Sequence, residues 1–218
     1  MQKYNNWLCE RHIMNKENKM IFNIIKEVCN GFYQYFGAAV MIAGVFMFLF
    51  IYSKEHNWKK RNIVRNILEI WFRNFKESDI FRKVFILVFY STMILFKTIL
   101  NRNFWANPLS DVMGGWGLYD ADGNLTTEAI ENLMLFIPFA VLLLWAFRRE
   151  LLGEKLGLKK ALWKATKAVG IFSFTIEFSQ LLFHLGTFQI SDLVYNTLGG
   201  TVGGVIYYII YKIRHRNE

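Results

Sequence analysis

Cysteine is scarce in this 218-residue chain, which contains only Cys9 and Cys29. Neither has the spacing or the histidine neighbours of a zinc site, so the sequence predicts no metal and no other cofactor. Unpaired thiols are the favoured interpretation, and a disulfide between the two cysteines stays open.

The sequence signatures of familiar enzymes are missing as well. The chain contains no H-E-x-x-H zinc motif, no nucleophile elbow and no phosphate-binding glycine loop. We also expect no cleavable leader, because the mostly polar residues 1–31 are too long for the basic start of a signal peptide. The motifs therefore leave open whether the protein is an enzyme.

Acidic residues are outnumbered, since 26 Lys and Arg stand against 17 Asp and Glu, for a net charge of +9. The basic residues flank long apolar runs, a pattern typical of membrane proteins rather than of nucleic-acid binding. Hydrophobic residues make up 54% of the chain, above the roughly 45–50% of soluble domains. We predict an all-α, polytopic integral membrane protein with no nucleic-acid partner.

The apolar runs predict about five transmembrane helices, because a helix needs about 20 residues to cross a bilayer core. Pro138 in the third run removes a backbone hydrogen bond and is expected to kink its helix. The predicted spans cover residues 32–52, 84–100, 132–147, 168–184 and 193–211. Polar residues 1–31 precede these spans, and a basic tail, 213–218, follows a transmembrane domain at 84–212.

Residues 53–83 form a strongly basic segment between the first two spans. Apolar residues recur there at helical spacing among arginines and lysines, namely Trp58, Ile63, Ile67, Ile70 and Trp71. This pattern favours an amphipathic helix on an anionic cytoplasmic leaflet, with a solvated charged loop as the alternative. Residues 58–75 of this segment are also a candidate dock for a membrane-protein partner.

The distribution of Lys and Arg predicts the orientation. Segments 53–83, 148–167 and 212–218 are basic and should be cytoplasmic, together with the C-terminus. Segments 101–131 and 184–192 contain one arginine and no lysine, so they should lie outside. Five spans then place the N-terminus outside despite its own basic residues, and a first run that does not fully cross is the alternative.

An acidic run in the loop before the third span matches part of a calcium-loop register. Leu125 stands where that loop requires glycine, which favours an Asp-Gly turn leading into a helix capped at Thr126 or Thr127. The residues in the register are Asp120, Asp122, Asn124, Thr126, Glu128 and Glu131.

Polar side chains inside the apolar runs are the strongest functional signal, because lipid excludes them unless they meet a partner or water. Glu177, Gln180 and His184 share one face of the fourth span, and Asp192 and Asn196 share a face of the fifth. These positions lie near the predicted outer ends of their spans, where they should meet the end of the second span and the start of the third. The candidate ligand-binding residues are Arg102, Asn132, Glu177, Gln180, Asp192 and Asn196.

Most of these residues also have a structural explanation. Asp192 is a candidate helix cap, and Gln180 and Asn196 are candidates for hydrogen bonds between helices. Glu177 is harder to explain, because a carboxyl at that depth needs a proton, a cation or hydrogen-bond donors. Arg102 is its candidate partner.

Two overlapping pairs of small residues occur in the fifth span, Gly199 with Gly203 and Gly200 with Gly204. Such pairs allow helix backbones to approach closely, so these four glycines are predicted to pack helices.

Three ordered strings resemble the VanZ-like family: Asn132-Leu-Met-Leu-Phe-Ile-Pro138, Glu177-Phe-Ser-Gln180 and Asp192-Leu-Val-Tyr-Asn196-Thr-Leu-Gly199. The family's patterns are N-x-x-x-F-x-P, E-x-x-Q and D-x-x-x-N-x-x-G, and the resemblance covers about residues 84–212. An arginine that usually precedes the aspartate is absent here. The family's namesake is associated with resistance to the lipoglycopeptide teicoplanin, so the resemblance implies a role in the envelope of a bacterial cell, at its cytoplasmic membrane, without supplying a reaction.

Two main functional hypotheses follow. In the first, the six candidate residues form an outer-leaflet pocket for an amphiphile, such as a membrane lipid, a lipid-linked wall precursor or a lipoglycopeptide. In the second, the protein is an intramembrane enzyme acting on a lipid or wall precursor, with Glu177 or Asp192 as general base and His184 as a relay. A purely structural partner of another membrane protein is a third hypothesis.

Overall fold

The structure is a computed structural model that describes Phe22, Lys26 and residues 33–49, 63–100, 102–117, 126–154 and 156–215. All regular structure in these residues is helical, and the protein is an all-α membrane protein. The helices are α1 (Tyr33–Leu49), α2 (Ile63–Glu77), α3 (Asp79–Leu95), α4 (Glu128–Ala146), α5 (Arg148–Leu152), α6 (Leu158–Phe183) and α7 (Ile190–Arg214). A π-helical turn, Phe96–Leu100, continues α3.

Three helical segments of the described chain are long and apolar enough to cross a membrane. They are Asp79–Leu100, Glu128–Ala146 and Ile190–Arg214, and they overlap the predicted second, third and fifth spans. Helix α1 is a shorter apolar helix, and the predicted first span extends at both ends beyond the described residues.

Helix α6 is not among these three segments. It joins the lysine-rich residues 158–167 and the predicted fourth span into one helix. The second half of α6 exposes Ile171, Phe174, Phe178 and Leu182 at spacings of three or four residues. A stripe of exposed apolar side chains at this spacing forms one continuous helical face, as expected for a surface against lipid.

Helix α7 lies at the centre of the bundle and packs against both α4 and α6. Gly199 contacts α4 at Leu133 and Gly203 contacts it at Ile137, so α4 and α7 run in the same direction. Gly200 contacts α6 at Val169, and Gly204, one turn later in α7, contacts α6 at Ala165, one turn earlier in that helix. These two helices are therefore antiparallel.

The four glycines divide between two faces of α7. A side chain on Gly203 would place its Cβ 2.6 Å from the Ile137 carbonyl oxygen and 2.7 Å from the Ala140 Cβ of α4. On the other face, a Cβ on Gly200 would lie 2.6 Å from the Val169 Cβ of α6. Because real Cβ atoms do not approach other atoms so closely, both helix pairs require glycine at these positions.

Helix α3 runs antiparallel to α4. Near one end of the pair the Lys97 Nζ lies 3.2 Å from the Glu131 Oε2. Further along, the Tyr90 hydroxyl donates to the Leu135 carbonyl oxygen at 2.9 Å. The carboxyl end of α3 therefore lies beside the amino end of α4, and α4 continues through Pro138 without interruption.

The basic segment before α3 is helical where the structure describes it. The ring of Trp71 in α2 stacks on Phe75 at 5.2 Å and meets Phe81 and Phe85 of α3 edge-on at 5.7 Å. The described part is thus helix α2 docked on α3 through aromatic rings, rather than a solvated loop. Trp58 lies outside the described residues.

Substitution of Gly203 by Ala tests this close approach. Gly203→Ala is expected to lower the free energy of unfolding in detergent by about 1–3 kcal/mol, because α4 and α7 must separate. Gly44→Ala in α1 is the matched control, since no atom lies within 4 Å of the added Cβ and alanine favours the helix. Equal stability of the two variants would contradict the packing described here.

Candidate functional site

Four helix ends meet at one end of the bundle: the carboxyl ends of α3 and α6 and the amino ends of α4 and α7. We call this the polar end, because buried side chains with oxygen and nitrogen atoms concentrate there. Its members are Thr98, Asn132, Ser173, Glu177, Gln180, Asp192 and Asn196. Five of the six candidate residues therefore lie in one cluster, in which Glu177, Gln180, Asp192 and Asn196 are buried and Asn132 is partly buried.

Asp192 and Asn132 join α7 to α4. The Asn132 Nδ2 donates to the Asp192 Oδ1 at 2.8 Å, and Asp192 is only 7% exposed. The residue that precedes α7 as its cap is Gln189, so Asp192 lies in the first turn and bonds across the interface instead of capping. Its place near the positive end of the α7 dipole also favours a carboxylate.

Asn196 joins α7 to α6 one turn further into the bundle. Its Nδ2 donates to the Ser173 Oγ at 2.9 Å, and both residues are buried. The Asn196 Oδ1 is buried and accepts no hydrogen bond within the described residues. An unpaired buried amide oxygen costs about 1–3 kcal/mol, so this atom would gain from a hydrogen-bond donor.

Glu177 is held by the connection between α6 and α7. The backbone N–H of Gln189 donates to the Glu177 Oε2 at 3.0 Å, and Glu177 is only 2% exposed. The side chain of Gln189 turns the other way and donates to the Asp111 Oδ2 at 2.9 Å. Gln189 thus links the buried carboxylate to the loop that follows α3.

Gln180 binds the π-helical turn that ends α3. Its Nε2 donates to the Thr98 carbonyl oxygen at 2.7 Å. The backbone pattern of a π turn differs from that of an α-helix, and such turns recur at functional sites. Gln180 therefore ties α6 to α3, and the cluster connects all four helices.

Arg102 is the candidate residue that lies outside the cluster. It is exposed, and its side chain lies across Gly186 in the connection between α6 and α7. Among the described residues it forms no ion pair within 4 Å with Glu177 or Asp192, although its charge attracts both carboxylates over a longer distance. Hydrogen-bond donors, rather than Arg102, directly contact the two carboxylates.

Residues 102–117, which we call the cover loop, lie over the cluster. The Phe188 N–H donates to the Pro108 carbonyl oxygen and the Ile190 N–H donates to the Val112 carbonyl oxygen, each at 2.9 Å. Gly114 has a φ of +68°, which favours glycine, and a Cβ added there would lie 3.1 Å from the Cβ atoms of Gln189 and Ser191. The loop is thus bound along the α6–α7 connection, and it covers the carboxylates.

His184 belongs to this covering layer rather than to the cluster. It ends α6 in a left-handed conformation, its ring stacks on Phe104 at 5.5 Å, and its carbonyl oxygen accepts from the Trp105 N–H at 2.8 Å. These contacts anchor the start of the cover loop to the end of α6.

Sequence reasoning missed four residues that complete the site. Ser173 stands four residues before Glu177 on the same helical face, which is a signal that the sequence contains. Gln189, Asp111 and Thr98 carry no such signal, because their roles depend on the path of a loop and on a backbone carbonyl oxygen. Their contacts became visible only with the packed structure.

The cluster can accept and donate hydrogen bonds, and its two carboxylates repel each other. Among the described residues no group of three or more His, Cys, Asp or Glu side chains could hold a metal ion. A general base needs contact with its substrate, and both carboxylates are covered in this structure. A ligand and a substrate alike would reach them only if the loop over the cluster moved.

Comparison with known proteins adds a family. The family model described as VanZ/LLP1 matches residues 10–211. The match thus begins well before residue 84, where the sequence strings had placed the start of the resemblance. Protein VanZ of Enterococcus faecium is 32% identical over 100 residues, which cover 46% of this chain and 54% of that protein. The match spans about half the length of this relative, and no solved structure matches the chain significantly.

Replacing Asn132 tests the bond between α4 and α7. Asn132→Leu is expected to lower the free energy of unfolding by about 1–3 kcal/mol, because the buried Asp192 then loses its donor. Ser179→Ala serves as the control, since the Ser179 hydroxyl bonds only to Thr175 of its own helix. Denaturant titration in detergent that gave both variants the same stability would contradict the contact.

Proposed function

Because the chain belongs to the VanZ/LLP1 family, we propose that it is a multi-pass protein of the bacterial cytoplasmic membrane that contributes to glycopeptide resistance. In this proposal the polar end faces outward and binds the head group of an amphiphile. Candidates of that chemistry are a membrane lipid, a lipid-linked wall precursor and a lipoglycopeptide such as teicoplanin.

The observation that carries this proposal is the set of polar atoms buried without a full complement of partners. The Asn196 Oδ1 and the Ser191 Oγ are both buried and unpaired within the described residues. They lie on the first turns of α7, which also carry Asp192. A head group with hydroxyl or amide N–H groups would supply the missing donors.

An amphiphile also needs a surface for its apolar part. The exposed rings of Phe174 and Phe178 stack at 6.1 Å on α6, beside the turn that carries Glu177. Leu182 extends the same exposed stripe toward the end of the helix. In the proposed complex an acyl chain lies along this stripe while the head group reaches the cluster.

Access to the cluster requires the cover loop to move. The contact between Gln189 and Asp111 is a single side-chain hydrogen bond, and Asp111 is exposed. The loop is also held by four backbone hydrogen bonds, to His184, Phe188, Ile190 and Ser191. Each such bond contributes about 0.5–1.5 kcal/mol, so a ligand has to offset several kcal/mol to displace the loop. The loop would then open the cluster toward the outer leaflet.

Glu177→Gln and Asn196→Ala test the binding role. In a strain that depends on this protein for lipoglycopeptide resistance, each variant at normal expression is expected to lower the inhibitory concentration. Glutamine retains an oxygen for the Gln189 N–H, so Glu177→Gln removes charge with little change in packing. Ser179→Ala on the exposed side of the same helix should leave resistance unchanged, and unchanged susceptibility in both site variants would refute the proposal.

The proposed orientation has its own test. After replacement of Cys9 and Cys29 by Ser, Asn107→Cys in the cover loop should react with an impermeant maleimide in intact cells, because Asn107 is exposed at the polar end. Lys212→Cys, exposed at the opposite end of α7, should react only after the cells are opened. The reverse pattern of labelling would show that the polar end faces the cytoplasm.

A further inference from the structure

A second polar feature lies at the opposite end of the bundle, which we call the basic end. A cavity of about 610 Å³ opens there between the start of α3, the region joining α4 to α5, and the last turns of α7. Its lining includes Lys83, Arg148, Arg149, Arg214 and His215. None of these residues takes part in the polar end.

Positive charge dominates this cavity. Its two lining carboxylates are Asp79 and Glu150, and Asp79 already forms ion pairs with Lys83 and with Arg82 outside the cavity. No carboxylate of the described residues lies within 4 Å of Arg149 or Arg214. Two arginine side chains are thus free to bind an anion that comes from outside the protein.

Arg148 is positioned in advance by an aromatic residue. Its guanidinium lies over the Tyr211 ring at 4.5 Å, and its Nη2 donates to the Tyr211 hydroxyl. The Tyr211 ring in turn stacks on His215 at 4.1 Å. The Arg148 Nε is buried and has no acceptor within the described residues, so an anionic oxygen would satisfy it by a charge-assisted bond.

The rim of the cavity is apolar. Ile80, Trp145 and Ile210 line it and are 38%, 36% and 52% exposed. Lys83 lies over the Trp145 ring at 5.2 Å, so the tryptophan has an apolar side and a cationic side. Aromatic residues beside basic ones are typical of the membrane interface, where acyl chains end and head groups begin.

We propose that this cavity binds the phosphate head group of an anionic membrane lipid. Arginine is the side chain best suited to phosphate oxygens, because its planar guanidinium donates two parallel hydrogen bonds. Basic pockets between transmembrane helices bind such head groups. The acyl chains lie along the Ile80, Trp145 and Ile210 rim, and the phosphate meets the three arginines.

Native mass spectrometry of the full chain tests this assignment. The protein is purified with an equal mixture of phosphatidylglycerol and phosphatidylcholine, and the lipids that remain bound are counted. The wild-type protein should retain phosphatidylglycerol, and Arg149→Gln with Arg214→Gln should reduce its retention roughly fivefold for each charge removed. Both arginines are exposed, so this double variant should fold normally.

Lys159→Gln with Lys212→Gln is the matched control, because it removes two exposed charges from the same end but outside the cavity. This control should retain phosphatidylglycerol as the wild type does. A second variant, Arg148→Gln, should also lose the lipid, provided that circular dichroism shows that it is folded. If Arg148→Gln does not fold, the test depends on the double variant Arg149→Gln with Arg214→Gln.

Two results would overturn the proposal. One is equal retention of phosphatidylglycerol by the arginine variants, the lysine control and the wild type. The other is release of the lipid by millimolar inorganic phosphate, which would show that the cavity recognises a soluble anion without the apolar rim. Retention that inorganic phosphate does not affect, and that depends on the arginines, supports a lipid site.

Discussion

The close approach of α4 and α6 to the glycines of α7 is the constraint on which the rest of the structure depends. Two of the glycines admit the α4 backbone and the other two admit α6, on two faces of one helix that are about 100° apart. Hydrogen bonds between side chains form only within about 3 Å, so short residues such as Asn132 and Asp192 meet only because the helix axes are close. The packing of small residues and the polar cluster are therefore two results of one geometry.

The two ends of the bundle carry different chemistry. One end buries two carboxylates with amide and hydroxyl groups under a loop, and the other end presents arginines around an open cavity. Both contain buried polar atoms without partners, the Asn196 Oδ1 at one end and the Arg148 Nε at the other. An acceptor lacks its donor in the first case and a donor lacks its acceptor in the second, so the ligand inferred for the first end supplies hydrogen-bond donors and the ligand inferred for the second supplies acceptors.

The sequence was most informative about the type and placement of the helices and least informative about which groups contact each polar side chain. The helical class, the apolar segments and the glycine pairs follow from periodicity and composition, which are local properties of the chain. Arg102 shows the limit, because charge and sequence position favoured it as the partner of Glu177, whereas a backbone N–H of Gln189 has that role. Backbone donors are invisible in a sequence, since every residue except proline carries one.

By itself the sequence determined that the chain is an all-α membrane protein and that polar residues accumulate near one side of its apolar runs, because lipid excludes such residues from random positions. The tertiary structure alone decided which of them touch, since Gln180 and Thr98 are far apart in the chain and meet only through helix packing. It also decided that the cover loop lies over the carboxylates and that basic residues of three helices, α3, α5 and α7, line one cavity. Contacts of this kind depend on the relative placement of helices, which local sequence patterns do not encode.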